Sequence, residues 1–566
     1  MKHAFWAFGI CLLAVAAGAA VLRLPRLDIR PMHGDEANQA VKAGILLETG
    51  VYRYDPRDHH GPSLYYLTLP SLGLARARAL AETTEFDFRV VPVVFGVGLV
   101  LLVWLVADGI GRHAALAAAA LTAISPAMVF YSRFYIQETL LVFFTVGLIG
   151  SAWRYVQTQH RAWLVAAGAC AGLMAATKET WVLAAVAMLA ALAAVVVWTR
   201  WGEGRPVRLR PLLGGWRLVD GLLVAGLVAA MLFSSFFTNA RGPLDAISAY
   251  GLYLTRAGGA GLHDNPWYFY LGMLANSRWV TGATSGPWWS EGLILGLGLI
   301  GMVAAVIRRG LAEEHVPLAR FLGLYTIVLA VLYAAIPYKT PWCALGFLHG
   351  MILMAGVGTV AVVHLFRTCP FRYLIFLGVA ALAVQLGWQA WRASFKYAAD
   401  QRNPYVYAHT SPDVLNLARC VEDVASLSPH GHDMIVKVIT GENYWPLPWY
   451  LRRFNADHVG YYHEVPDDPE ADVIIVGADV QEAVDLRLRE LHEDRVDAAC
   501  RKAGFRRRMS IDPMPPDLRE AIGRWAADAY NRQCVFALRP QVFMRVYVSE
   551  DLWNALMARR SGAKPQ

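Results

Sequence analysis

Long apolar runs separated by short polar breaks fill the first 390 or so residues, after which the pattern changes to mixed and charged. The runs fall at roughly 4–24, 89–108, 114–131, 138–156, 162–177, 180–198, 217–238, 290–307, 318–336, 342–364 and 372–391. A helix needs ~20 apolar residues to cross the ~30 Å hydrocarbon layer of a bilayer, so the pattern predicts about eleven transmembrane helices. The first run follows Lys2 and ends in the small residues AAGAA, as a signal peptide does; with ten further runs behind it, it reads as an uncleaved anchor. Beyond residue 392, MIVKVIT (434–440) and ADVIIVG (471–477) have the short apolar form of buried strands, and 412–426 and 480–494 read as helices. The predicted class is therefore mostly α: a polytopic membrane domain over 1–392, with long loops at 25–88 and 239–289, followed by a small α/β domain over 393–566.

Composition agrees with the pattern. The 566 residues are 56% hydrophobic and only 17% charged, below the roughly one quarter of a soluble domain. The net charge of +8 does not indicate nucleic acid, because the arginines sit in short loops between apolar runs rather than on one basic face. Arg112, then Arg154 and Arg161, then Arg200, Arg205, Arg208, Arg210 and Arg217, then Arg308, Arg309 and Arg320, then Arg367 and Arg372 all mark alternate loops. By the positive-inside rule these loops are cytoplasmic, which puts both long loops and the tail outside the cytoplasmic membrane. Of the seven cysteines, Cys420, Cys500 and Cys534 fall in the polar tail, so at most one disulfide is expected there.

This orientation gathers the sparse ionisable residues of the membrane domain on one side. Asp35 and Glu36 in HGDEANQA, Arg133 and Glu138 in SRFYIQE, Lys178 and Glu179 in TKET, and Lys339 in PYKTP all fall on external ends or loops. Taken singly, each has a plain reading: Lys and Arg snorkel to the interface, and a glutamate at a helix start meets the positive end of the helix dipole. Seven on one face point instead to a polar site at the membrane surface. His33, His59, His60 and His263 share that side, and a divalent metal on Glu36 with His33 or His263 is chemically reasonable, although no fixed spacing links them. Trp288 and Trp289 in the Gly- and aromatic-rich loop 239–289 could stack on a sugar or belong to an interfacial belt.

The acidic pair after the first span, HHGPSLYYLTLP (59–70), ISPAMVFYSRFYIQETLLVFF (124–144) and AATKETW (175–181) together resemble the membrane-embedded glycosyltransferases of the GT-C superfold. These include the protein O-mannosyltransferases and the lipid A aminoarabinose transferases. NPYVYAHTSPD (403–413) and YWPLPWYLRRF (444–454) resemble a bacterial and archaeal subfamily of flippase-associated, glycosyltransferase-like proteins. Where the family element reads Pro-Pro-Leu after its histidine, this chain has Gly61-Pro62-Ser63.

The resemblance implies transfer of a sugar from a polyprenyl phosphate to a hydroxyl on a protein, lipid or glycan, outside the cytoplasmic membrane and among membrane lipids. Such a reaction needs no nucleotide sugar, and the chain has neither a Walker loop nor a dinucleotide fingerprint. It needs a carboxylate to take the acceptor proton and cations to hold the departing phosphate. Asp35 is the expected base and Glu36 its alternate or a metal ligand. Arg133, Lys178 and Lys339 are the expected phosphate holders. The alternative is a noncatalytic membrane factor or a transporter assisting the flipping of lipid-linked oligosaccharide. The charges sit at helix ends rather than mid-span and no inverted halves are evident, which favours the enzyme.

Overall fold

The structure is a computed structural model that describes residues 2–57, 60–205, 217–257, 263–282, 284–365, 369–502, 534–539 and 542–561. It divides into two compact units. The first comprises residues 1–29, 42–79 and 83–407; the second comprises 30–41, 80–82 and 408–566.

The first unit is helical. Among the described residues, seven helical stretches are long and apolar enough to cross a membrane: Trp6–Arg23, Glu85–Ile110, Glu138–Thr158, Trp181–Gly202, Glu313–Ala335, Pro341–Leu365 and Phe371–Lys396. The remaining predicted runs form shorter helices at Arg112–Ile124, Arg161–Ala175, Gly292–Ile307 and Arg217–Phe233. The run at 114–131 is cut because Ser125 leaves the helix, accepts a hydrogen bond from the Met128 amide and starts a new turn at Pro126. The chain is a multi-pass membrane protein, and its helices pack by close backbone approach. A Cβ on Gly301 would lie 2.0 Å from the Met354 carbonyl oxygen, and one on Gly358 would lie 1.9 Å from that of Leu297. Only glycine permits that contact between Gly292–Ile307 and Leu345–Leu365, the small-residue packing typical of membrane helices.

Both long predicted loops contain helices of their own, Gly34–Thr49 and Ser63–Ala75 in one, Gly242–Ala257 and Phe269–Ala275 in the other. Their apolar stretches are too short to register as spans.

The strands of the second unit are β1 (Val436–Ile439), β2 (Val459–Tyr462), β3 (Val473–Gly477), β4 (Cys534–Arg539) and β5 (Val542–Val548). They form one sheet in the order β2-β1-β3-β5-β4. β1 pairs in parallel with β2 and β3, with Val436 opposite both Val459 and Val473; β5 runs antiparallel to β3 and β4. Ile439, Ile474, Val476 and Tyr547 pack with Val484 and Leu488 of the helix Gln481–Lys502 to make a core. The helix Val414–Ala425 buries Val414, Leu417, Val421 and Val424, one face at helical spacing. The strands expected at 434–440 and 471–477 and the helices expected at 412–426 and 480–494 are present. Cys420 is buried, and the side chains of Cys500 and Cys534 lie outside the described residues.

Candidate functional site

The acidic pair lies at the start of the helix Gly34–Thr49, and its two carboxylates have opposite surroundings. His33 precedes the helix, and its Nδ1 accepts from the Asp35 amide at 3.0 Å, so that nitrogen carries no proton there. Glu36, three residues on, reaches back to accept from the His33 amide at 3.1 Å. The two bonds together make a reciprocal N-terminal cap. Glu36 is fully buried and ion-paired with Arg30, which donates to Oε1 at 3.2 Å and lies 3.2 Å from Oε2. Arg30 in turn contacts His409 Nε2 at 3.2 Å. The Tyr450 hydroxyl accepts from the Met32 amide at 2.9 Å, and the Thr410 hydroxyl donates to the Met32 carbonyl at 2.7 Å. The two tail motifs singled out in the sequence therefore converge on the acidic pair within the second unit.

Asp35 faces the other way. Its carboxylate is 54% exposed, with His33 Nδ1 3.8 Å from Oδ2. Of the two expected carboxylates, Asp35 is open to a substrate, while Glu36 is committed to holding the corner together.

A second polar cluster lies in the first unit, where the element after His60 docks on TKET. The Ser63 amide donates to the Ala176 carbonyl at 2.8 Å, and the hydroxyls of Ser63 and Thr177 bond at 2.7 Å. A Cβ on Gly61 would lie 2.3 Å from the Ala176 oxygen, which explains why glycine stands where the related element has proline. His60 Nδ1 lies 2.8 Å from Glu179 Oε2, and Tyr54 donates to Glu179 Oε1 at 3.0 Å. Burial acts to raise the Glu179 pKa, but His60 and the hydrogen bonds outweigh it and hold this carboxyl below the usual glutamate value. His59 lies outside the described residues.

The three expected phosphate holders are all buried. Arg133 spends its guanidinium on the carbonyls of Arg23, Pro25 and Arg26 at 2.7–2.9 Å and lies over the Phe395 ring. Burial, with Arg89 and Arg26 nearby, lowers its pKa to about 10. Lys339 donates to the carbonyls of Asn265 and Ile336, and burial lowers its pKa against the pull of Asp264. Lys178 pairs with Glu138. Glu138 lines a small pocket with Tyr325, Tyr333, Trp342 and Cys343. Within it, Glu138 Oε2 and the Tyr325 hydroxyl have no hydrogen-bond partner among the described residues.

The aromatic candidates divide in the same way. Trp289 is 1% exposed, donates to the Gln389 carbonyl and packs on Tyr397, so it is part of the core. Trp288 is exposed and donates to Asn276 Oδ1. His263 bonds to the Tyr407 hydroxyl at 2.6 Å. Among the described residues no group of three or more His, Cys, Asp or Glu is placed to hold a metal ion. Glu36 has its oxygens engaged by Arg30 and the His33 amide, which leaves it poorly suited as a ligand. Sequence reasoning missed Arg30, Tyr54, His409 and Tyr450. The signal for the last two was the pair of tail motifs, and nothing local marks the first two.

The fold is shared with solved membrane glycosyltransferases of the GT-C superfold. A sequence model of the family described as dolichyl-phosphate-mannose-protein mannosyltransferase matches residues 71–207. ArnT from Cupriavidus metallidurans bound to undecaprenyl phosphate superposes with a TM-score of 0.60 at 14% identity, covering 99% of each chain. The same protein in its apo state gives 0.55 at 14% identity over 100% of each chain. The oligosaccharyltransferase AglB from Archaeoglobus fulgidus, in complex with an inhibitory peptide and a dolichol-phosphate, gives 0.50 at 13% identity, covering 86% of this chain and 73% of AglB. No curated protein matches by sequence.

Proposed function

We propose that this protein moves a sugar from a polyprenyl-phosphate donor to a hydroxyl acceptor on the external side of the cytoplasmic membrane, with Asp35 as the base. The observation that carries the reading is the split between the neighbouring carboxylates: the Glu36–Arg30 pair and the His33 cap fix the helix start, and they hold Asp35 at its exposed face. Asp35 takes the acceptor proton as the acceptor oxygen bonds to the anomeric carbon, and the bond from that carbon to the phosphate oxygen breaks. The leaving group is the polyprenyl phosphate. Among the three basic residues, we take Lys178, which is ion-paired with the side chain of Glu138, as the phosphate holder. The concentration of arginines in alternate short loops supports the external placement of Asp35 and the tail. Similarity to a chain whose structure holds undecaprenyl phosphate supports the donor class.

The test is transfer by purified Asp35→Asn protein. General-base loss costs on the order of 10²–10⁴ in rate, so the variant should lose most transfer while still binding the donor. Full activity in Asp35→Asn would end the assignment. A wild-type protein that transfers no sugar from any polyprenyl phosphate would leave the noncatalytic flipping factor as the better account.

A further inference from the structure

We propose that the crevice at the carboxyl ends of β1 and β3 is a carbohydrate site, which holds a glycan acceptor beside Asp35. The inference rests on the reading of Asp35 as the base and narrows the acceptor to one class.

Topology locates the crevice. β1 is flanked in parallel by β2 on one side and β3 on the other, so the connections from β1 and β3 leave the sheet in opposite directions. In parallel sheets the gap opened at such a switch point, outside the carboxyl ends of the strands, is where small polar ligands bind. Here its walls are Thr440–Trp445 after β1 and Ala478–Val480 after β3. Asp479 fixes one wall to the other by accepting from the Gly441 amide at 2.7 Å and the Thr440 hydroxyl at 3.2 Å. Gly441 and Gly477 leave room for this clasp, since a Cβ on either would lie within 2.8 Å of an Asp479 oxygen.

The chemistry of the rim indicates the ligand. Tyr444 is half-buried, and the rings of Trp445, Tyr461 and His463 are each tilted 33° to it, with centroids 4.9–6.2 Å away. This cluster of tilted rings offers aromatic surface for the C–H faces of a pyranose. Glu442 and Asn443 beside it are exposed and can accept from sugar hydroxyls. Arg539 donates to the Asn443 carbonyl and steadies that loop. The crevice also reaches the acidic pair: a Cβ on Gly34 would stand 3.4 Å from Trp445 Cβ, so the ring shelf begins one residue from Asp35. A sugar seated there presents a hydroxyl to the carboxylate. A peptide acceptor would be expected along the open edge of β2 instead.

The experiment uses the full chain in lipid nanodiscs, with saturation-transfer NMR to chitopentaose, maltoheptaose, cellohexaose and a Ser/Thr-rich peptide. At least one glycan should bind at roughly 1 mM or tighter, and the peptide should not. Tyr444→Ala should weaken glycan binding about tenfold, while Tyr444→Phe, which keeps the ring, should bind as wild type does. Asp35→Asn should also keep glycan binding, so a failure of the base assignment leaves this readout intact. The proposal is overturned if no glycan binds, if only the peptide binds, or if folded Tyr444→Ala binds glycan unchanged.

Discussion

The Arg30–Glu36 corner of the second unit and the Tyr54–Glu179 corner of the first each bury a glutamate, yet they leave different chemistry behind. In the first unit each carboxylate of the cluster is buried and paired, Glu179 with His60 and Tyr54 and Glu138 through one oxygen with Lys178. In the second, Glu36 is closed by Arg30 and its neighbour Asp35 is open to solvent. An ionisable residue at a membrane surface is thus as often a tie between segments as a reagent. What separates the two roles is how many protein partners a side chain already has, and by that criterion Asp35 stands apart.

Glu36→Gln breaks this comparison most directly. It keeps a hydrogen-bond acceptor for the His33 amide but leaves Arg30 buried without its counter-charge, and such loss typically costs roughly 3–5 kcal/mol. Thermal unfolding should show a large drop for Glu36→Gln and little change for Asp35→Asn, whose defect is in rate. Equal unfolding midpoints would merge the two roles.

His60→Ala sharpens the other corner. Losing a hydrogen bond to a charged group costs roughly 2 kcal/mol, and here the burial that His60 offsets would then raise the Glu179 pKa. The sign follows from the wild-type shift. The folded carboxyl titrates below its ordinary 4.5, so it contributes stability at neutral pH that is lost as the pH falls through and below that value. In His60→Ala the loss should begin at higher pH, read as unfolding midpoint against pH; an unchanged profile would remove His60 as the partner.

Gly61→Ala carries an effect of similar size, roughly 1–3 kcal/mol for overpacking. It forces the 60–63 segment away from Ala176 and Thr177, and it should make the protein more sensitive to protease in that loop. A neutral substitution would mean that the two elements are not held together by this contact.

Much of the architecture was legible because periodic signals are local. β3 is a fully apolar run and β1 is apolar but for Lys437, so both announce themselves; β2 is four residues half-buried on both faces and carries no alternation. The run at 114–131 looks continuous by hydropathy although Ser125 and Pro126 cut it. The candidate site was legible only as a set of residue types. Glu36 and Asp35 are adjacent carboxylates, and what divides them is Arg30, which also contacts His409, 379 positions later. The departure at Gly61 looked like a lost motif until the Ala176 carbonyl was seen to fill the space of a side chain.

The second unit is discontinuous, and this has a consequence during synthesis. Residues 30–41 belong to it, but Thr410, which closes on Met32, is made 378 residues later. At ~5–20 residues per second, that delay is roughly 20–75 s. Throughout that interval only the local contacts of residues 30–36, the Arg30–Glu36 pair and the His33 cap, can support the helix start. The corner is therefore completed only when the tail has been made, so any chain terminated before His409 carries the acidic pair without the contacts of His409, Thr410 and Tyr450.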